Sequence, residues 1–143
     1  MHDIGKIGIP DSILLKEGEL TPDEWLIMIT HASIGAQILD GSDILILRMA
    51  CEIALNHHEK WDGSGYPKGL AGIQIPKSAR IVAIADVYDA LIHERPYKPA
   101  FSEDIALDII KKGVGSHFDP EIYDVFMRLL PEFAKIQDQL QPG

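Results

Sequence analysis

The sequence has a single cysteine, Cys51, so no disulfide can close within the chain. That fits a reducing compartment, and a cytoplasmic location is the expectation. No apolar run approaches the ~18 residues that a membrane-spanning helix needs. The chain opens Met1-His2-Asp3, with neither a basic n-region nor an apolar h-region, so no signal peptide is visible. Cations are in the minority: 13 Lys and Arg stand against 22 Asp and Glu, for a formal net charge of −9. Such a chain is a poor general nucleic-acid binder, which wants a basic face. Acidity can still serve metal binding, and a few clustered cations can hold one anionic ligand locally. Repeats, charge blocks and low-complexity stretches are absent, so no domain boundary is marked. What remains is an ordinary globular composition, 46% hydrophobic and 24% charged over 143 residues. That excludes disorder, collagen and coiled coil and suits one domain, residues 1–143, with a real core.

The pattern along the chain is helical. Residues 4–20 read as a loop, interrupted by Gly5, Gly8, Pro10 and Gly18. Thr21-Pro22-Asp23-Glu24 is a helix start, with Thr21 as cap, Pro22 at the first position and Glu24 completing a capping box. Trp25, Ile29, Ala32, Ala36 and Leu39 follow at helical spacing, which predicts one helix to Leu39. Asp40-Gly41-Ser42 separates it from a second helix over roughly 43–58. Residues 59–75 carry five glycines or prolines between Gly63 and Gly72 and predict a long ordered loop, a frequent carrier of function. Ile73-Gln74-Ile75 could pair briefly as a strand. Further helices are expected over 77–92, from Ser102 to about 112 and from Asp119-Pro120 to about 137. The class is all-α.

Six histidines punctuate this pattern: His2, His31, His57, His58, His93 and His117. One histidine in a helix is usually an ordinary core or surface residue. Pairs are different. His2-Asp3 sets an imidazole beside a carboxylate, and neighbours on a helix do not face each other, so the two groups approach a site from different angles. The carboxylate could bridge two ions. His57-His58 has the same geometry at a helix end. Asp86 sits in an otherwise apolar run, Ile81 to Ala85, where an unpaired carboxylate is costly. A cation would remove that cost, and so would a buried hydrogen bond or a salt bridge. Asp89 lies at i+3 from it. Lys6 follows His2-Asp3, and Arg95 and Lys98 follow the Asp86 helix. Each alone reads as a surface charge. Around a metal pocket beside a Gly-rich loop, they suit a phosphate ester.

These blocks resemble the HD-GYP family, a branch of the HD metal-dependent phosphohydrolases. The resemblance runs in order through His2-Asp3-Ile4-Gly5-Lys6-Ile7-Gly8-Ile9-Pro10 and His57-His58-Glu59-Lys60-Trp61-Asp62-Gly63-Ser64-Gly65-Tyr66-Pro67. It continues through Ala85 to Leu91, Arg95-Pro96-Tyr97-Lys98-Pro99 and His117-Phe118-Asp119-Pro120. It implies an HD-domain helical bundle with a long Gly-rich loop, and hydrolysis of cyclic di-GMP to pGpG and GMP. It implies two divalent ions, iron or manganese before zinc. His2, Asp3 and Asp86 would hold one, and Asp3 would bridge to a second held by His31 and His57. His58 would belong to a third position in trinuclear relatives. Lys6, Arg95 and Lys98 would grip phosphates, Gly65, Tyr66 and Pro67 would line the pocket, and Asp89 would support the site or touch substrate. A hydroxide shared by the metals would attack phosphorus.

The family has helices before the His-Asp pair that supply a further ligand, whereas here the pair follows Met1 directly. The resemblance therefore implies an N-terminally truncated domain. Exposed apolar faces would follow, covered by dimerisation, by exchange of elements or by the missing half. A parent protein with a receiver or sensor domain upstream fits the same picture. A module that binds cyclic di-GMP or a diguanylate cyclase (GGDEF) domain without turnover is the alternative. Outside these roles, His93 reads as solvent-facing although it could pair with Asp89. His117, Trp25 and Trp61 read as structural, and Cys51 as a small buried residue.

Overall fold

Prolines and glycines divide the chain into short helices whose order fixes the architecture. A computed structural model describes residues 1–94 and 99–140. The chain begins with a 3-10 turn, Ile4–Gly8, and a one-turn helix, α1 (Asp11–Leu14). Then come α2 (Pro22–Met28), α3 (His31–Leu39) and α4 (Leu45–Asn56). A second 3-10 turn, Gly72–Gln74, precedes α5 (Lys77–Ile92), α6 (Glu103–Lys112) and α7 (Pro120–Leu140). Among the described residues there is no β-strand, only isolated bridges between Asp62 and Ala71 and between Val114 and Phe118. No helix among them is long and apolar enough to cross a membrane.

The all-α reading therefore holds, with corrections of detail. The predicted helix to Leu39 is two helices. The Thr21–Glu24 capping box forms as expected, with Glu24 N–H donating to Thr21 Oγ1 at 3.3 Å and Thr21 N–H to Glu24 Oε2 at 2.7 Å. The helix nevertheless ends at Met28, and Thr30 turns its hydroxyl back onto the Ile27 carbonyl at 2.6 Å. Such local side-chain bonding competes with the helical ladder. Residues 4–20 are not all loop, since the first 3-10 turn and α1 lie there. Ile73-Gln74-Ile75 forms no strand: Gly72–Gln74 is a 3-10 turn, and the bridge falls at Ala71. Ser102 takes the N-cap position of α6, yet its hydroxyl makes no capping bond.

The helices pack in two groups. The first 3-10 turn, α3 and α4 form one, and α4 passes the chain to α5. On the other side of α5, α6 and α7 enclose a core of Ile84, Leu91, Ala106, Ile110, Phe118, Ile122 and Phe126. The α3–α4 group is lined instead by small residues, with Ala32, Ala36, Ala50 and Ala54 all buried. Leu45, Ile46 and Met49 on α4, with Met1 beside them, remain open to solvent.

Candidate metal centre

The site starts from a glycine. A Cβ at Gly5 would stand 1.8 Å from the His31 carbonyl oxygen and 2.4 Å from the Gly35 nitrogen. Only glycine lets the 3-10 turn lie directly on the first turn of α3. That contact brings the preceding Asp3 side chain over His31. The break between α2 and α3 does the rest, because it puts His31 at the start of a helix. There its Nδ1–H donates to the Met28 carbonyl at 2.7 Å. At the end of α4, His57 Nδ1–H donates to the carbonyls of Ile53 (3.1 Å) and Ala54 (3.0 Å). A carbonyl only accepts, so both rings carry a proton on Nδ1 and, as neutral imidazoles, point an Nε2 lone pair the other way.

Both lone pairs face the same oxygen. His31 Nε2 and His57 Nε2 each lie 3.6 Å from Asp3 Oδ1, too far and too electron-rich to be hydrogen bonds. Both nitrogens are fully buried and have no hydrogen-bond partner among the described residues. Lone pairs converging on a carboxylate oxygen are costly by themselves, and a cation among them removes the cost. His58 joins the group: one ligand atom from each of Asp3, His31, His57 and His58 falls within 4.8 Å of the others.

Asp3 faces a second set through its other oxygen. Oδ2 accepts from Lys6 Nζ at 2.7 Å and lies 3.6 Å from His2 Nε2. His2 Nε2 in turn lies 3.3 Å from Asp86 Oδ1 on α5. One carboxylate thus stands between His31–His57 and His2–Asp86. Asp3, Lys6, His58 and Asp86 open onto a depression of about 330 Å³ walled by Val87, Ala90 and Leu91.

The electrostatics follow from this crowding. Burial alone would raise the Asp3 pKa, but contact with His57 and Lys6 and the nearby positive charge hold it well below the usual carboxylate range. Burial pushes His31 down. It pushes His58 down to about 3, helped by the adjoining His57 and His31 rings. Asp3 is therefore an ionised carboxylate and His31 and His58 are neutral imidazoles at neutral pH, the protonation states that metal ligation requires.

The Gly-rich loop is held against this cluster by a residue the sequence did not single out. Glu59 is 2% exposed, and its two oxygens accept from the backbone N–H of Lys68 (2.8 Å) and Leu70 (2.9 Å). Gly65 lies so close to the strip His58–Lys60 that a Cβ there would meet His58 O and Lys60 N at 2.4 Å. Tyr66 N–H donates to His58 O at 3.2 Å, and the Tyr66 ring stacks on His58 at 4.8 Å and 22°. Burial raises the Tyr66 hydroxyl pKa to about 12. Pro67 follows Tyr66 through a cis peptide bond. From the far side Arg80 ties the loop to the fold, donating to Asp119 Oδ2 at 2.5 Å and lying over the Trp61 ring.

The other sequence-level candidates divide. Asp89 does not join Asp86: its exposed carboxylate sits 3.0 Å from His93 Nδ1, so His93 is both solvent-facing and paired. Arg95 and Lys98 lie outside the described residues. His117 stacks on Phe118. Cys51 is only partly buried and donates its thiol to the Ala36 carbonyl. The importance of Gly5 had a visible signal, its place three residues before Gly8 and two after Asp3, but no indication of which backbone it touches.

Residues 1–122 match the HD domain family. The chain belongs to this family. HD domains are metal-dependent, in keeping with the His and Asp cluster. A cyclic di-GMP phosphodiesterase of Vibrio cholerae serotype O1 is 52% identical over 141 residues, covering 95% of this chain and 29% of that protein. A 3'3'-cGAMP-specific phosphodiesterase 2 of the same organism is 45% identical over 140 residues, covering 98% of this chain and 27% of that protein. This HD chain therefore spans less than a third of the length of these relatives. The crystal structure of a cyclic GMP-AMP specific phosphodiesterase from Vibrio cholerae superposes with a TM-score of 0.60 at 22% identity, over 89% of this chain and 33% of that one. That likeness shows the HD fold.

Proposed function

We propose that this chain is the hydrolytic part of a metal-dependent phosphodiesterase that opens cyclic di-GMP to pGpG and on to GMP. The observation that carries the reading is the Asp3 carboxylate, set between the Nε2 atoms of His31 and His57, unpartnered among the described residues, on one side and His2 and Asp86 on the other. His31, His57 and Asp3 would hold one divalent ion, and His2, Asp86 and the shared Asp3 a second. His58 borders the first position. Iron, manganese and zinc all suit imidazole with carboxylate, iron and manganese best matching the family resemblance. When bound, such ions lower the pKa of water and draw charge from phosphoryl oxygens.

The chain's own residues supply the remainder. The carbonyls of Met28, Ile53 and Ala54 fix the imidazole tautomers and orient their lone pairs before anything binds. Lys6 sits on the open side of Asp3 and can move its ammonium to a phosphate oxygen, stabilising charge as it grows there. Tyr66 shields His58 from solvent with its ring. Arg95 and Lys98 would add positive charge, and Gly65, Pro67 and Asp89 would act through the loop and the end of α5. The activities of the relatives leave two cyclic dinucleotides in play, and cyclic di-GMP is favoured by the higher identity of its phosphodiesterase.

The test incubates the purified chain with Mn(II) or Fe(II) under reducing conditions and offers cyclic di-GMP and 3'3'-cGAMP side by side. Linear product from cyclic di-GMP, faster than from 3'3'-cGAMP and lost in Asp3→Asn, supports the reading. Metal bound with neither nucleotide cleaved would reject it. Binding of cyclic di-GMP without cleavage would instead favour a signalling module that captures the nucleotide or a diguanylate cyclase domain.

A further inference from the structure

Trp25 is the one large aromatic residue of α2, and sequence spacing placed it on that helix's packing face. The fold leaves it 48% exposed, in neither core cluster. Among the described residues its one ring contact is with the loop: the indole meets Tyr66 with centroids 5.9 Å apart and planes at 87°. Tyr66 lies in turn on His58 and edge-to-face with His31. A row of rings therefore runs from the metal cluster outward, His58 to Tyr66 to Trp25.

In a perpendicular contact, one ring gives an edge and the other a face. Whichever way the pair is read, the indole keeps at least one face out of the contact, and its exposure leaves that face open to a ligand. Tyr66 already has one face against His58. Such an indole, one ring away from a site that takes a phosphodiester, is at the reach of a base attached to that phosphate through its sugar. Planar bases stack on aromatic faces with little dependence on sequence.

We propose that Trp25 is a stacking platform for one purine of the dinucleotide, held in place by Tyr66. This rests on the phosphodiesterase reading above and adds a base-binding residue outside the motif blocks. It makes Trp25 a determinant of KM and not of the chemical step.

The experiment uses the whole chain with Trp61→Phe, so that Trp25 is the sole indole. GMP is titrated while its fluorescence is read, and cyclic di-GMP turnover is measured with and without Trp25→Ala and Trp25→Phe. Expected are quenching of the indole by GMP and a KM raised about ten- to hundredfold in Trp25→Ala, the size of one lost base stack. Trp25→Phe should recover most of that loss. The turnover number on saturating cyclic di-GMP and manganese content should stay unchanged. An unchanged KM for cyclic di-GMP, or a turnover number that falls in step with the rise in KM, overturns the platform while leaving the phosphodiesterase reading intact. Quenching by GMP in a chain that cleaves no cyclic dinucleotide would do the reverse.

Discussion

The two halves of this molecule are built on opposite packing rules. Around α5, α6 and α7 the core is made of large side chains, with Phe118, Phe126, Ile110 and Ile122 filling the space between helices. Around α3 and α4 small residues predominate: alanines, Gly35, and Gly5 pressed onto a helix backbone, with Leu39 closing the far end. The first half gains stability by burying apolar area. The second gives up that gain so that backbone can approach backbone, and the approach is what carries Asp3 to His31 and His57. A binding site made by close approach is sensitive to added atoms, and a packed core to removed ones.

The largest expected effect tests this directly. Gly5→Ala places a methyl inside the van der Waals envelope of the His31 carbonyl, so the 3-10 turn must leave α3 and metal binding is abolished. Gly8→Ala is the control, since its Cβ would meet only the Ile34 side chain at 3.0 Å, and it should retain metal. Manganese content after gel filtration separates the two, and a metal-loaded Gly5→Ala protein would break the comparison. Next comes Phe126→Ala, expected to cost about 3–5 kcal/mol in chemical denaturation while metal bound per folded chain stays the same. A fall in metal bound per folded chain would show that the halves are not separable.

Glu59→Gln should cost about 1–3 kcal/mol, because the amide group of glutamine turns a donor toward one of two backbone N–H groups and leaves it unpaired. Limited proteolysis should then cut within residues 63–71 first, and cutting elsewhere would deny Glu59 its anchoring role. The smallest effect is that of pH on metal-free protein. His58, His31 and His117 all have lowered folded pKa values, His58 about 3 against an ordinary 6.5. Below pH 6.5 the unfolded chain takes up protons that the folded one refuses, so this stabilisation is complete above 6.5 and is lost as pH falls towards 3. The melting temperature should decline from pH 7 to pH 5, and His58→Gln should flatten the decline. An unchanged slope would place the titration elsewhere in the fold.

Much of the centre was readable from residue type and order. Adjacent His-Asp and His-His pairs, and a carboxylate alone in an apolar helix, are uncommon enough together to point to cations. Pro76 marked the start of α5, where it stands at the N-cap, because proline lacks the N–H that a helix interior needs. The break after Met28 was not readable: Ile29 and Thr30 are both compatible with helix, and neither Gly nor Pro stands there. Glu59 was missed because a charge in a Gly-rich loop ordinarily faces water. Asp89 matched the spacing to Asp86 on one helix, but one turn further along it reaches past the depression to His93. Spacing on a helix gives a direction and says nothing of where the neighbouring elements stop.

By itself, then, the order of amino acids determined the helical class, most helix limits and the donor atoms available for a metal, since these depend on local backbone preference and side-chain chemistry. Tertiary structure alone decided which donors meet. Asp3 stands between four other donors because glycine lets two backbones touch, and contacts between residues distant along the chain are set by how surfaces fit together.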